Sequence, residues 1–375
     1  MTTFAALFVP ESLRDAVSDQ AWLEAMLDAE RALANASRVA GAVDAADAAA
    51  VAEACDPSAY DIAALAAQGR AAANPVEPLV RALRKRAPAA HRGATSQDIL
   101  DTAAMLVSRN AIELIREHLR AARAQCAILA REHRSTPMAA RTLLQQAVPT
   151  TFGYIAAQWL VALRIPFLDE FAFPAQLGGA GGTLAAFGER GLEIRRRFAE
   201  ELDLFDPVLP WHADRGPVAE IAALLDQAAQ AAAKVALDII LLAQTEIGEV
   251  REASGGASST MPHKRNPARA VVARACARGV HAQASLLTAI GDYELQRAAG
   301  AWQAEWTALS EALALTGGAA AAIRECLESL EVDSERMRAN MRDELYSERD
   351  SLGLAGDHLG AAEHFVDVVL ESFAP

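Results

Sequence analysis

Aromatic side chains are scarce: Phe, Tyr and Trp make up 5% of the 375 residues, although 52% of the chain is hydrophobic. The apolar weight therefore rests on alanine and the aliphatic residues, and alanine is the strongest helix former. Strict alternation of apolar and polar residues is almost missing, which argues against a core built from sheets. Cysteine is sparse as well. Cys55, Cys126, Cys276 and Cys326 are widely scattered, no two stand at metal-ligand spacing, and a chain of this length needs no disulfide staples. No apolar stretch spans a bilayer; Val235 to Ala243 follows Lys234 and is interrupted by Asp238. The opening MTTFAALFVPESLRD has no basic region and no small-residue cleavage site, so a soluble, cytoplasmic protein is expected, with no membrane partner. Positive charge is in deficit: 35 Lys+Arg against 49 Asp+Glu leave −14, a field that repels phosphate backbones and excludes nucleic acid as a ready partner. Glycine-rich phosphate loops, zinc spacings and nucleophile elbows are absent, so no cofactor and no metal is called for.

What is present is helical periodicity. Apolar residues recur three and four apart over 19–41, in two shorter pieces between 60 and 86 that break near Asn74-Pro75, and over 96–133. Further helices are expected over 150–173, 217–251, 267–290 and from Trp302 onward. The spacing predicts an all-α fold, an elongated bundle of long helices flanked by smaller helical N- and C-terminal domains, divided at 1–95, 96–300 and 301–375. Ala222-Ala223-Leu224-Leu225 and Ile239-Ile240-Leu241-Leu242 are apolar on more than one helical face, which favours an oligomer with a core shared between chains.

The chemistry sits in the breaks. GGASSTMPHKRNP, residues 255–267, concentrates cationic residues beside the hydroxyls of Ser258 and Ser259, and Asn266-Pro267 reads as a helix start. Such a loop delivers Lys264 to a helix N-terminus, where a serine alkoxide or a bound anion would be stabilised. HRGATSQD, residues 91–98, places His91, Thr95 and Ser96 at a second helix start; hydroxyls there either cap the helix or hold a carboxylate. Thr142, Gln145 and Gln146 form a third polar cluster in a loop before Pro149, where bracing of the loop is the plainer alternative. Arg297, beyond the helix 267–290, is suited to fork onto a carboxylate or to pair with a neighbouring acid. His212 among prolines reads as structural, and Trp302 and Trp306 as core. Together these groups suit a small polycarboxylate and proton transfer beside a carboxylate.

GASSTMPHKRNP closely resembles the signature of the fumarase/aspartase superfamily, and HRGATSQD and ARTLLQQAVPTTFG resemble its other two shared regions, in the same order. QLGGAGGTL, PWH, QTEIGEV and Gln296-Arg297 to Trp306 are most similar to the 3-carboxy-cis,cis-muconate cycloisomerases within it. The resemblance implies a homotetramer with a twenty-helix core and active sites assembled from three subunits. It also implies a catalytic role for Ser258, Lys264 and Arg297, and substrate binding by Thr95, Ser96 and Asn266; His91, Thr142, Gln145 and Ser259, read from the loops themselves, are the remaining substrate-binding candidates. The activity implied is lactonisation of 3-carboxy-cis,cis-muconate in aromatic catabolism. Two departures stand out. Leu143 occupies the position after Arg-Thr where many lyases of the superfamily carry a histidine, which disfavours chemistry needing a strong acid. The stretch 341–359 is short, implying a reduced last domain. Elimination from a succinyl-type substrate, as in adenylosuccinate lyases, and a catalytically silent scaffold are the alternatives.

Overall fold

The computed structural model describes residues 4–253, 256–257, 261 and 264–373. Four long helices, Ser96–Glu132, Gly216–Leu242, Ala268–Ala289 and Ala301–Glu328, pack on one another, and Phe152–Ala162 lies on the first of them. This is the helical bundle expected from the periodicity. Ala301–Glu328, grouped on sequence with the last domain, runs along 268–289 and 96–132. Small side chains allow the close approach. A Cβ on Gly317 or Gly318 would lie 2.4 Å from Leu13 Cγ or the Phe8 carbonyl, so this glycine pair seats the first turns of the chain against the bundle.

Pairwise contacts fix the helix directions. Gly279 faces Leu315 while Cys276 faces Gly318, so 268–289 and 301–328 are antiparallel. Trp302 reaches Asp101, and His118 lies in the field of Arg324, so 301–328 runs parallel to 96–132. Arg215, the residue before Gly216–Leu242, touches both Asp101 and Glu305. Three helix N-termini therefore gather at one end of the bundle. Their C-termini lead to the other end, where the ladder Val250–Glu252 with Leu330–Val332 lies.

Smaller helices flank this frame. Asp19–Val39, capped by Ser18 Oγ accepting from the Ala21 N–H at 3.2 Å, packs on 96–132. At the chain's end, Ala362–Phe373 lies on 152–162, held by Arg134, which forks onto Asp367 at 2.7 Å through two nitrogens and also pairs with Glu363. The polar loop expected before Pro149 is instead a β-hairpin, Pro137–Thr142 with Gln145–Thr151, and the next helix starts at Phe152. Its strands mix small and polar residues with Pro149, so no alternating pattern announced it, and packing of Met138, Ala139, Thr150 and Thr151 at its base supports it. Its turn is Leu143-Leu144, both with positive φ, 51° and 64°.

Candidate active site

Parallel helices bring their positive dipole ends together, and the gathering at residues 96, 216 and 301 is answered by buried carboxylates. Asp98 accepts from four donors: the backbone N–H groups of Thr95 (2.9 Å), Gly178 (2.8 Å) and Gly179 (2.9 Å), and Nε2 of His212 (2.7 Å). It thus clamps the glycine stretch 178–182 onto the helix start. His212 is structural in this respect, as its setting among prolines suggested. One turn on, Asp101 accepts from Arg215 (2.8 and 3.2 Å), from Trp302 Nε1 (2.9 Å) and from Gln97 Nε2 (3.0 Å). Arg215 also forks onto Glu305 at 3.0 and 2.5 Å and lies over the rings of Trp211 and Tyr293. Burial disfavours the Arg215 charge, but the two carboxylates outweigh it and hold its pKa above the usual guanidinium range.

Four of the sequence candidates lie at this end. Thr95 and Ser96 are half-buried at the helix start. His91 has φ 59°, and its Nδ1–H donates to the buried carboxylate of Glu30 at 2.6 Å. His91 and Ser96 line a recess of about 540 Å³ together with Arg81, Arg84, Lys85 and Glu77, a lining with more cations than acids on an acidic protein. Arg297 donates to Gln97 Oε1 at 3.0 Å and to the carbonyls of Ala180 at 2.8 Å and Gly179 at 3.5 Å. Its guanidinium therefore stands over the same glycine stretch that Asp98 holds from beneath.

The other candidates lie at the opposite end. Thr142 and Gln145 face each other at the exposed hairpin tip. Gln146 braces the ribbon, donating to the Asn340 carbonyl at 2.9 Å, and Arg141 forks onto buried Glu249 at 3.0 and 2.6 Å. Asn266 is paired with Gly256 in a two-residue ladder, Gly256–Ala257 with Arg265–Asn266. Lys264 is exposed beside it. Ser258 and Ser259 lie outside the described residues. The expected helix start at Asn266-Pro267 is displaced: the helix begins at Ala268, because Pro267 has ψ 72°, far from helical. Its anion site is also taken. The first N–H groups, of Arg269 and Ala270, both donate to Glu252 at 3.0 Å, so the protein's own carboxylate sits where a substrate carboxylate was expected.

The candidates fall into two clusters at opposite ends of the bundle, and the 37-residue helix that leads from Ser96 to the hairpin alone spans about 55 Å at 1.5 Å per residue. No small acid bridges that distance within one chain. Each cluster offers what one side of a carboxylate site needs: hydroxyls, an imidazole and an arginine at one end, and a lysine, amides and a threonine at the other. Sequence reasoning passed over Gln97, Asp101, Arg215, Glu305 and Glu252. The signal available was polar side chains at helical spacing on otherwise apolar faces, as at Gln97 and Asp101 four residues apart, since buried polar groups need partners.

Residues 10–281 match the family model described as lyase. The chain is 47% identical over 349 residues to a nitrosuccinate lyase of Streptomyces davaonensis, covering 87% of this chain and 74% of the relative. It is 41% identical over 353 residues to a 3-carboxy-cis,cis-muconate cycloisomerase of Bradyrhizobium diazoefficiens, covering 90% and 78%. The crystal structure of the 3-carboxy-cis,cis-muconate lactonizing enzyme from Pseudomonas putida superposes with a TM-score of 0.90 at 38% identity, over 98% of this chain and 87% of that one. Fold, loop motifs and relatives agree: the chain belongs to the lyase family, with the fold of the fumarase/aspartase superfamily.

Proposed function

We propose that this protein lactonises 3-carboxy-cis,cis-muconate, acting as a cytoplasmic homotetramer in protocatechuate breakdown. The likeness along nearly the whole chain to cycloisomerases carries this reading. In the reaction a substrate carboxylate oxygen forms a C–O bond to the diene, the displaced π pair moves toward a second carboxylate, and a proton adds at the adjacent carbon. Lys264 and Arg297 hold the developing charge, and Ser258 exchanges the proton. His91, Thr95, Ser96, Thr142, Gln145, Ser259 and Asn266 bind the substrate's remaining oxygens. Because the leaving group in the reverse direction is the substrate's own carboxylate, no strong acid is required. That fits Leu143, which is 97% exposed and cannot carry a proton.

The separation of the two clusters supports assembly: in this reading, different copies of the chain supply the two ends of each site. The hairpin tip supports this, since Leu143 and Leu144 project into solvent at 97% and 70% exposure. Two experiments test the proposal. Purified protein is assayed with 3-carboxymuconate, and Ser258→Ala lowers kcat by orders of magnitude while the oligomer persists. Ser96→Ala and Ser258→Ala chains, each inactive alone, are then refolded together. If the two ends of a site come from different chains, about a quarter of the mixed sites carry both intact serines and activity returns. Absence of turnover with 3-carboxymuconate, or of complementation, refutes the activity or the shared site respectively. A second reading, elimination from nitrosuccinate, is favoured by the 47% identity to the nitrosuccinate lyase, and that substrate is assayed alongside.

A further inference from the structure

We propose that Gln97 is a positioning residue that sets the geometry of Arg297 and, through it, the grip on a substrate carboxylate; this rests on the carboxylate-binding role of Arg297 proposed above. Gln97 is wholly buried in the first turn of Ser96–Glu132, next to the candidate Ser96. Its Nε2 donates to Asp101 Oδ2 at 3.0 Å and to the His212 carbonyl at 2.8 Å. Both partners are acceptors only. Flipping the amide would set its oxygen against them with no proton between, so the Oε1 atom is obliged to face Arg297 Nη1, which donates to it at 3.0 Å.

The amide cannot drift, because its own anchor is fixed. Asp101 is 2% exposed and is held by Arg215 and Trp302, and Arg215 is held in turn by Glu305. A chain of saturated hydrogen bonds thus runs from the junction of three helix N-termini to one atom beside the guanidinium. The carbonyls of Ala180 and Gly179 grip the other side of Arg297, and Asp98 immobilises that glycine stretch through the Gly178 and Gly179 N–H groups. Two consecutive residues of one helix, Gln97 and Asp98, therefore fix both walls of the arginine's socket. A neutral amide suits the task. It accepts from the guanidinium without neutralising it, so the full positive charge remains for an incoming carboxylate; a glutamate here would quench that charge and repel Asp101.

The test is a double-mutant cycle with Gln97→Met and Arg297→Ala, read on turnover of 3-carboxymuconate. Gln97→Met is expected to lower kcat/KM about 10-fold or more in the wild-type background, and less than about 2-fold in the Arg297→Ala background. Melting temperature should fall in both backgrounds, so a loss of kcat/KM confined to the background that keeps Arg297 separates positioning from packing. Equal factors in the two backgrounds, or unchanged kcat/KM in Gln97→Met, overturn the proposal. The same cycle is read on calorimetric binding of tricarballylate, a saturated tricarboxylate. Should 3-carboxymuconate prove not to be a substrate, the functional reading falls, while coupling of Gln97 to Arg297 in tricarballylate binding still upholds the pair and its absence overturns it.

Discussion

Replacing Arg215 by methionine tests the electrostatics at the helix junction. Arg215, Asp101 and Glu305 have side chains 2%, 3% and 4% exposed, so removal of the cation strands two carboxylates away from water. Breaking a buried pair from one side costs about 3–5 kcal/mol. The two acids are not left equal. Asp101 keeps Trp302 Nε1 and Gln97 Nε2 as donors, whereas Glu305 loses both of the hydrogen bonds it receives from Arg215. Loss of the cation favours the neutral form of a carboxylate stranded away from water, and Glu305, which loses more donors than Asp101 and keeps Tyr293 beside it, is the one to test. A raised pKa contributes stability below the unfolded value, and that contribution is lost as pH rises through the folded one. The deficit of Arg215→Met should accordingly be larger at pH 8 than at pH 5. With an unfolding entropy of about 0.8 kcal/mol/K for a chain of this size, a loss of about 4 kcal/mol lowers Tm by about 5 °C at pH 8. Adding Glu305→Gln should restore part of it and flatten the pH dependence. Calorimetry at the two pH values, with equal protein concentration, reads both effects. An equal deficit at the two values and no rescue by Glu305→Gln would refute the argument.

Other expectations follow from the far end of the bundle and the buried thiols. Glu252→Ala leaves the N–H groups of Arg269 and Ala270 without their acceptor, and loss of a cap costs about 1–2 kcal/mol; hydrogen exchange at 268–272 should quicken while 301–328 stays protected, and uniform exchange would refute it. Leu143→Asn with Leu144→Gly places the residues favoured by a turn with two positive φ angles, relieving strain of about 1–2 kcal/mol per residue. If the tip contacts another copy, as proposed, analytical ultracentrifugation should show a weakened oligomer even though the isolated chain is less strained. Hydrogen bonds from Arg134 lower the Asp367 pKa, and those from Ser135 and Arg134 lower that of Glu363, so docking of 362–373 is stable above the ordinary carboxylate range and is lost as pH falls through the lowered values. Arg134→Ala should move that loss to higher pH, followed by proteolysis of the C-terminal helix. Burial pushes the Cys276 thiol up to about 11 and Cys55 to about 12, so iodoacetamide at pH 8 should modify the cysteines only after unfolding.

The long helices were legible because their signal is local: apolar spacing, a Thr95–Asp98 start, and few breakers between Ser96 and Glu132. The hairpin was not. Its two strands form a ribbon with no sheet partner, Pro149 lies inside one of them, and two leucines occupy a turn that usually asks for Asn-Gly, so the local chemistry contradicts the structure formed. Strain of that kind persists where surroundings outside the turn require it. The start of helix 268–289 was misplaced for a related reason: Asn266-Pro267 is a valid cap by composition, but Glu252, sixteen residues upstream of Ala268, supplies the acceptor from across the fold.

The same distinction explains why the polar loops were identifiable and their grouping was not. Hydroxyls, amides and cations at helix starts announce anion binding whatever lies around them, and the end of the bundle each reaches depends on helix direction and length. Parallel packing of 96–132, 216–242 and 301–328 draws Arg215, Asp101 and Glu305 into one buried cluster and leaves Arg297 beside it. The same packing sends Thr142, Gln145, Lys264 and Asn266 to the opposite end. A periodic sequence specifies that each helix has a buried face, but it is silent on which neighbour covers that face and in which direction it runs. Buried ion pairs are poor sources of net stability, and in this bundle their geometry bears on the arrangement of helices instead. Arg215 has two acidic partners on two different helices, and an antiparallel placement of either helix would carry one of those acids tens of ångströms away from it. The ionic cluster thus discriminates among bundles that the alanine-rich faces, being nearly alike, would tolerate equally. Where Arg297 stands, and hence which end of the molecule carries that cluster, is settled by the same choice.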